Sequence, residues 1–260
     1  LKTDLDGCYY SVTKIEGVDG SKASPAWLQQ RLERAGVNSV NAVVDITNLG
    51  MLEQGQPLHA FDADVLEQLT GQPVNAQSFD VRVARKGETF VGLDDQKRSL
   101  DSRVQVVTCH DRPVAVAGVM GSLESGVSAQ TRNIWLESAL FAPPRVRQSA
   151  RALGLRTDAS SRFEKGLPVE MTLACSARAS ALLSKEFACT ETGRWVGGDS
   201  PAEPTPVLLR RSALHQLLGP LQSSAGSQDL DDNSVEACLQ ALGCTLMSHD
   251  EGWLVIAPPS

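Results

Sequence analysis

One stretch of the chain, from Val43 to Asp62, concentrates polar side chains of the kinds that bind substrates and position water. Its sequence is VVDITNLGMLEQGQPLHAFD, in which apolar residues separate the polar ones and can hold them in place. The polar positions are Asp45, Thr47, Asn48, Gln56, His59 and Asp62. An ordinary apolar core does not need this combination. The stretch is therefore the first candidate for a functional site.

Thr47, Asn48 and His59 are the candidate group for hydrolysis. A β-rich pattern over 40–46 predicts a strand that presents Thr47 and Asn48 at its end, and the adjacent Pro57 places His59 on a loop. The three side chains can position a water near an ester carbonyl. A lone histidine, however, is more often a structural hydrogen-bonding residue than a catalyst. Whether His59 acts as a general base or only orients the water stays open.

Glu137 is an unusual carboxylate because it lies within the apolar sequence IWLESALF. A strand predicted over 133–136 delivers it at the strand end. A carboxylate in such surroundings either serves a function or is paired within the fold, since an unpaired buried charge is costly. The structural alternative is a salt bridge to an arginine of the helix that follows.

Two glycines, Gly118 and Gly121, flank Val119-Met120 at the end of a small-residue strand predicted over 113–119. Glycine lets the backbone approach a bound molecule closely, and it equally permits a tight turn after a strand. Both interpretations are open at this stage.

The remaining patterns predict a mixture of strands and helices. Strands are predicted over 9–15, 81–84 and 104–108; helices run from Ser24-Pro25 to Ala35, from Pro143 to Leu153 and over 169–187. Because the two kinds of element do not alternate regularly, the predicted fold class is α+β. The Gly- and Pro-rich stretch 197–206 predicts a boundary between a first domain, 1–200, and a second, 206–260, with two short helices and a hairpin.

The composition describes an ordinary globular protein, with 260 residues, 42% of them hydrophobic and 21% charged. No apolar run reaches the roughly 18 residues of a membrane span, and the first residues do not resemble a signal peptide. We therefore expect a cytoplasmic protein that does not enter a membrane. The six cysteines are scattered without a C-x-x-C pair, so no metal site is predicted.

The net charge of −7 argues against broad electrostatic adhesion to nucleic acid. The segment from Arg145 to Lys165 is an exception, because its six basic and two acidic residues give +4 and leave −11 for the rest. If the protein contacts RNA, we expect Arg145, Arg147 and Arg151 to do so. The alternative for this segment is a solvated helix face.

The stretch from Val43 to Asp62 resembles the β-subunit of bacterial phenylalanyl-tRNA synthetase, in the domain that hydrolyses mischarged tRNA. Three later segments fit the same family in order: AVAGVMGSLESGV (115–127), LESALFAPPRVRQSARALGLRTDASSRFEKG (136–166) and a shorter piece ending at Ser260. The resemblance thus covers nearly the whole chain. One departure is Ser122, where a glycine is usual; a serine there shrinks the pocket or adds a hydrogen bond.

The resemblance implies roles for the candidate residues. Thr47, Asn48 and His59 would organise the attacking water or the tRNA terminus, while Glu137 and the Gly118 amide would recognise the hydroxyl of a misattached tyrosine. The resemblance also assigns the lining of the editing pocket to Gly121, Thr157 and Ala159. For the fold it implies a mixed-sheet editing domain followed by a small winged-helix-like domain that is truncated at its C-terminus.

The family further implies partners, namely tRNA for phenylalanine and the α-subunit of the synthetase, with two α and two β chains. ATP and Mg²⁺ would serve the α-subunit, and no cofactor is expected in this part of the protein. Two alternatives to editing remain. One is a noncatalytic tRNA-docking or subunit-assembly module, in which the basic segment and the winged-helix-like piece make the contacts and the pocket is vestigial. The other is a stand-alone hydrolase, which the attached second domain argues against.

Overall fold

The computed structural model of the chain describes residues 2–3, 8–198, 205–223, 226–228 and 230–257. Contacts divide the chain into two compact units, Leu1–Pro201 and Ala202–Ser260. The division falls within the Gly- and Pro-rich stretch, of which residues 199–204 lie outside the described part. None of the helices in the described part of the chain is long and apolar enough to cross a membrane.

The first unit contains all the residues that the sequence suggests for catalysis, substrate binding and RNA binding. Its helices are α1 (Ala26–Arg34), α2 (Ala42–Gln54), α3 (Ala63–Thr70), α4 (Pro143–Leu153), α5 (Asp158–Phe163) and α6 (Val169–Phe187). Its strands are β1 (Lys2–Thr3), β2 (Tyr9–Glu16), β3 (Leu58–Asp62), β4 (Phe79–Val83), β5 (Thr89–Val91), β6 (Lys97–Ser99), β7 (Gln105–Cys109), β8 (Arg112–Val116), β9 (Met120–Gly121), β10 (Asn133–Leu140) and β11 (Thr190–Gly198).

Two sheets form the framework of this unit. An antiparallel sheet has the order β11-β2-β10-β3, and a second sheet has the order β1-β4-β7-β8-β9, in which only the β1–β4 pair is parallel. One face of β10 places Trp135 in a core shared with Val107 of the second sheet. The other face places Leu136 in a core shared with Val43 of α2 and Leu183 of α6. Both faces of β10 are therefore buried, which explains why its sequence is almost continuously apolar.

Several helix predictions are confirmed. Helix α4 begins at Pro143 and ends before Gly154, whose left-handed conformation closes the last turn. Helix α6 has the predicted bounds. Helix α1 begins as predicted, but Pro25 rather than Ser24 is the N-cap, and the Ser24 hydroxyl donates to Asp45 instead.

The strand predicted over 40–46 is wrong, because this segment enters helix α2. Asn41 caps the helix by accepting a hydrogen bond from the Val44 amide, and the left-handed Gly55 ends it. The buried Asp45 carboxylate accepts hydrogen bonds from Ser24 and Ser39 and from the Val40 amide, so the first turn is fixed on several sides. These polar contacts stabilise the start of the helix against the β propensity of the valines.

Two further local predictions are also wrong. His59 does not lie on a loop but in β3, at the edge of the four-stranded sheet. Glu137 is not at the end of a strand but in the middle of β10, opposite His59 in the register of the two strands. Both residues therefore lie on paired strands, whose rigid backbone can hold the side chains of a site in place.

The second unit has the two helices and the hairpin that its sequence predicts, with one strand added to the hairpin. Its elements are β12 (Val207–Arg210), α7 (Arg211–Leu218), β13 (Leu221–Ser223), β14 (Gly226–Gln228), α8 (Asp232–Ala241), β15 (Thr245–His249) and β16 (Gly252–Ile256). Strands β12, β16 and β15 form one sheet, and β13 pairs with β14. The predicted α+β fold class is confirmed.

Candidate functional site

A cavity of about 540 Å³ opens beside β3. All eight residues that the sequence suggests for catalysis and substrate binding line it: Thr47, Asn48, His59, Gly118, Gly121, Glu137, Thr157 and Ala159. They come from α2, β3, the segment from β8 to β9, β10 and the start of α5. The fold thus brings five separate parts of the sequence to one place.

The rest of the cavity wall is largely apolar. The apolar side chains that the sequence analysis did not single out include Val40, Val44, Met51, Leu58, Val116, Val119, Met120, Val127 and Phe163. A mostly apolar space with a few polar groups is the usual form of a small-molecule site, and here it suits an apolar or aromatic group.

Glu137 is 8% exposed and holds a single hydrogen bond within the described residues. The Tyr10 hydroxyl donates to its Oε2 atom over 2.6 Å, so that Oε1 has no partner among the residues that the structure describes. The predicted alternative, a salt bridge to an arginine, is wrong for the described part of the chain. Burial raises the pKa of Glu137 to about 7, and the hydrogen bond from Tyr10 opposes that shift.

His59 faces the same side of the sheet as Glu137. Its ring packs edge-on against Phe61, and Nε2 is shielded from solvent without a hydrogen-bond partner in the described residues. Burial lowers the pKa of His59 to about 4, which keeps the imidazole neutral at neutral pH. So low a pKa makes His59 a weak general base and favours a role in orienting water.

Both glycines of the β8–β9 segment are required by geometry. A Cβ atom at Gly121 would lie 2.5 Å from His59 Nε2 and closer still to Cε1, so the ring occupies the space that a side chain would need. Gly118 has a φ of +66°, in a tight turn closed by the hydrogen bond from the Val119 amide to the Val116 carbonyl. Gly118 lines the cavity, and its amide has no acceptor among the described residues. The tight turn is therefore present at Gly118, while Gly121 makes room for the His59 ring; a close approach of this backbone to a bound molecule stays a prediction.

The two α2 residues differ in what they can offer. The Thr47 hydroxyl donates to the Val44 carbonyl over 2.7 Å and so has only acceptor capacity left. The Asn48 side chain forms no hydrogen bond with the described residues and can both donate and accept. Asn48 is thus the freer of the two to bind a substrate or a water.

Thr157 stabilises the wall of the cavity. It is the N-cap of α5, accepting a hydrogen bond from the Ser160 amide, and its hydroxyl donates to the Val119 carbonyl over 2.8 Å. Capping, which is ordinary for threonine at a helix start, is therefore its observed role, and the second bond fixes the turn that contains Gly118. Ala159 contributes only a methyl group.

Three polar residues of the 43–62 stretch serve the fold rather than the cavity. Asp45 fixes the start of α2, as described above. Asp62 caps α3 at the Val65 amide and accepts a hydrogen bond from Thr131. Gln56 donates to the Ala139 carbonyl over 2.8 Å. Ser122 adds a hydrogen bond from the Glu124 amide and does not line the cavity.

The predicted RNA-binding arginines lie on the exposed face of α4. Arg147 and Arg151 line a shallow depression of about 470 Å³ together with Arg103, whereas Arg145 does not. Arg103 forms an ion pair with Asp101, while the Arg151 side chain has no partner among the described residues. Arg103 is distant in sequence from α4, so no pattern in the sequence links it to this depression.

Besides the apolar lining, no signal in the sequence indicated Tyr10, the residue that holds Glu137. Tyr10 lies in YYSVTKIE, which reads only as a strand, and no spacing relates it to Glu137. Among the described residues there is no group of three or more His, Cys, Asp or Glu side chains that could hold a metal ion.

Comparison with known proteins identifies the family. Residues 7–188 match the B3/4 domain. The phenylalanine–tRNA ligase beta subunits of Synechococcus sp. strains CC9605 and CC9902 are 82% and 67% identical over all 260 residues, and the chain spans 32% of each of them. The crystal structure of an N-terminal fragment of the phenylalanyl-tRNA synthetase beta-subunit from Pyrococcus horikoshii aligns over 96% of this chain and 65% of its own, at 12% identity and a TM-score of 0.40. The chain therefore belongs to the phenylalanine–tRNA ligase beta-subunit family, of which it carries the B3/4 domain.

Proposed function

We propose that this chain edits mischarged tRNA by hydrolysing the ester between tyrosine and tRNA for phenylalanine. The observation that carries the proposal is Glu137, a buried carboxylate that lines a largely apolar cavity. Tyr10 holds one of its oxygens, and the other has no partner in the described part of the chain. Such a cavity suits an aromatic side chain with a hydroxyl group at its end.

Selection for tyrosine follows from the cost of leaving a buried polar group unpaired. A tyrosine hydroxyl donates to Glu137 Oε1, and the Gly118 amide donates to the hydroxyl oxygen. Phenylalanine offers no hydroxyl, and the unpaired groups then cost about 1–3 kcal/mol. This is the discrimination that a synthetic site for phenylalanine lacks, because an apolar pocket cannot strongly exclude one added hydroxyl.

Hydrolysis requires orientation more than a strong base. Asn48 and the neutral His59 position a water against the ester carbonyl, with Thr47 accepting a further hydrogen bond. The water oxygen bonds to the carbonyl carbon, the ester C–O bond breaks, and the ribose hydroxyl of the tRNA leaves with a proton. Because aminoacyl esters are already activated, positioning of the water and stabilisation of the developing oxyanion supply most of the acceleration.

The proposal also assigns partners. The chain works within an assembly of α and β subunits, two of each, in the cytoplasm, and its substrate is aminoacylated tRNA. Synthesis of the aminoacyl bond, with ATP and Mg²⁺, belongs to the α-subunit, and editing by this chain needs no cofactor. Residues of the cavity hold only the aminoacyl end of the tRNA.

The first test is the substitution Glu137→Ala in the assembled ligase. We expect the rate of tyrosine release from preformed Tyr-tRNA to fall about tenfold or more, because the hydroxyl loses its buried acceptor. Charging of tRNA with phenylalanine should be unchanged. The exposed Glu124→Ala serves as the matched control, since Glu124 pairs with Arg112 on the surface. Unchanged tyrosine release in the Glu137 variant would rule out the editing role proposed for this residue.

The arginine-lined depression favours a second candidate function, docking of tRNA. We expect the double substitution Arg147→Gln and Arg151→Gln to weaken tRNA binding and to reduce the salt dependence of log K by about 1 for each lost phosphate contact. Arg31→Gln is the control, because Arg31 lies on α1 and pairs with Glu53. Equal salt dependence in all three proteins, measured as tRNA affinity at several salt concentrations, means that α4 is only a solvated face.

A further inference from the structure

We propose that Tyr10 is a positioning residue of the editing site: its hydroxyl fixes one carboxylate oxygen of Glu137, so that the other faces the cavity and selects tyrosine over phenylalanine. This inference rests on the proposed editing function. It goes beyond that function by naming the residue that orients the carboxylate of Glu137 and favours its ionised form.

The pairing of β2 with β10 places Tyr10 next to Glu137 on the same face of the sheet. In the register of β2 and β10, Glu137 lies opposite Val12, so Tyr10 is its diagonal neighbour on the same face. Tyr10 is fully buried, and its ring packs against Phe141 with centroids 6.4 Å apart. The hydroxyl donates to Glu137 Oε2 over 2.6 Å.

The arrangement is not what a purely structural pair would show. A buried carboxylate that only stabilises the fold has both oxygens satisfied, because each unpaired oxygen costs free energy. Here the Tyr10 hydroxyl has Glu137 as its hydrogen-bond partner, and Glu137 has Tyr10 as its own within the described residues. Glu137 lines the cavity, so a substrate hydroxyl bound there can complete the pair.

Tyr10 also affects the charge of Glu137. A phenol that donates to a carboxylate stabilises the ionised form, so this bond opposes the burial that raises the pKa of Glu137 to about 7. Among the described residues, the other titratable groups near Glu137 include His59 on β3 and Cys8 beside β2; Asp158 also lines the cavity, but its exposed side chain pairs with Arg162. Burial lowers the pKa of His59 to about 4, and burial together with the charge of Glu137 raises the pKa of Cys8 to about 12. Of Glu137, His59 and Cys8, Glu137 is therefore the residue whose charge changes near neutral pH.

The ionised carboxylate discriminates more strongly than the neutral acid. A phenyl ring placed against an unpaired charge is disfavoured more than one placed against a neutral carboxyl group. The ratio of Tyr-tRNA to Phe-tRNA hydrolysis should therefore rise with pH through about 7 and then level off. Without the Tyr10 hydroxyl the ionised form loses its stabilising bond, so the midpoint of this rise should move to higher pH.

The test uses the assembled ligase as the parent protein and as the variants Tyr10→Phe, Glu137→Gln and the double variant. The ratio of Tyr-tRNA to Phe-tRNA hydrolysis is measured from about pH 6 to about pH 9. We expect Tyr10→Phe to lower the ratio at neutral pH about fivefold or more and to move the midpoint upward. With Glu137→Gln the ratio should be low and independent of pH, and adding Tyr10→Phe should then produce no further change in pH dependence.

The outcomes separate the inference from the function on which it rests. If Glu137→Gln leaves the ratio unchanged, the editing proposal itself fails. If Glu137→Gln flattens the profile but Tyr10→Phe keeps both the midpoint and the ratio, the role of Tyr10 is overturned. Phe141→Leu tests packing, because it perturbs the ring beside Tyr10 without removing the hydroxyl; it must keep the parental midpoint. A midpoint shift in Phe141→Leu equal to that in Tyr10→Phe assigns the effect to core packing and overturns the inference.

Discussion

The assembled ligase with Gly121→Ala is expected to release tyrosine from Tyr-tRNA at least about 100-fold more slowly than the parent. The added methyl group would overlap the His59 ring, and both the ring and the short strand β9 are held by their neighbours. We expect the overlap to displace the ring into the cavity. There it occupies the space of the substrate and no longer aligns the water. Phenylalanine charging should be unaffected, because the proposal assigns that reaction to the α-subunit.

A matched control comes from Gly126, which lines the same cavity. A Cβ atom there would meet the Leu93 side chain at 3.3 Å and carbonyl oxygens at 3.4 and 3.5 Å, and the leucine tip can give way. Gly126→Ala should thus keep tyrosine release within a few-fold of the parental rate. Similar losses in the two variants would mean that the region is sensitive to any added atom, and that the position of His59 is not what matters.

The sequence predicts the fold where local signals agree with one another. In α4 a proline at the start and a glycine after the end enclose a helical pattern, and in α6 a proline precedes one; the structure confirms both helices. In α2 the signals conflict. The valines favour a strand, whereas Asn41 and Gly55 favour a helix, and packing of α2 against α6 decides between them. Propensity alone cannot resolve such a case, because the deciding contacts are distant in sequence.

The composition of the candidate site could be predicted, but its geometry could not. Polar residues placed among apolar ones, together with the resemblance to a family, suggested all eight residues that line the cavity. Nothing in the sequence showed that Glu137 lies opposite His59 or that Tyr10 donates to Glu137, since both follow from strand register. The neutral state of His59 likewise depends on burial, which is a property of the folded chain.

The substitution Glu137→Gln is expected to stabilise the chain, and more so as the pH rises. Folding raises the pKa of Glu137 from its ordinary value of 4.5 to about 7 through burial, so the folded state holds the proton more tightly than the unfolded chain does. The contribution of this group to stability is complete below pH 4.5 and is lost as the pH rises to about 7. Glutamine does not titrate. Relative to the parent, the variant should therefore gain roughly 2–3 kcal/mol in free energy of unfolding between pH 5 and pH 8.

Urea unfolding of the 260-residue chain, followed by the fluorescence of the buried Trp135, measures this gain. Glu88→Gln is the control, because the hydrogen bond from Arg82 lowers the pKa of Glu88 below its ordinary value, so its contribution changes only at lower pH. Its difference from the parent should stay constant from pH 5 to pH 8. A constant difference for Glu137→Gln as well would mean that Glu137 is ionised in the folded chain without cost. The expected gain instead implies that the ionisable carboxyl group in the apolar cavity lowers the stability of the chain at neutral pH. A purely structural role would not require a group with this cost.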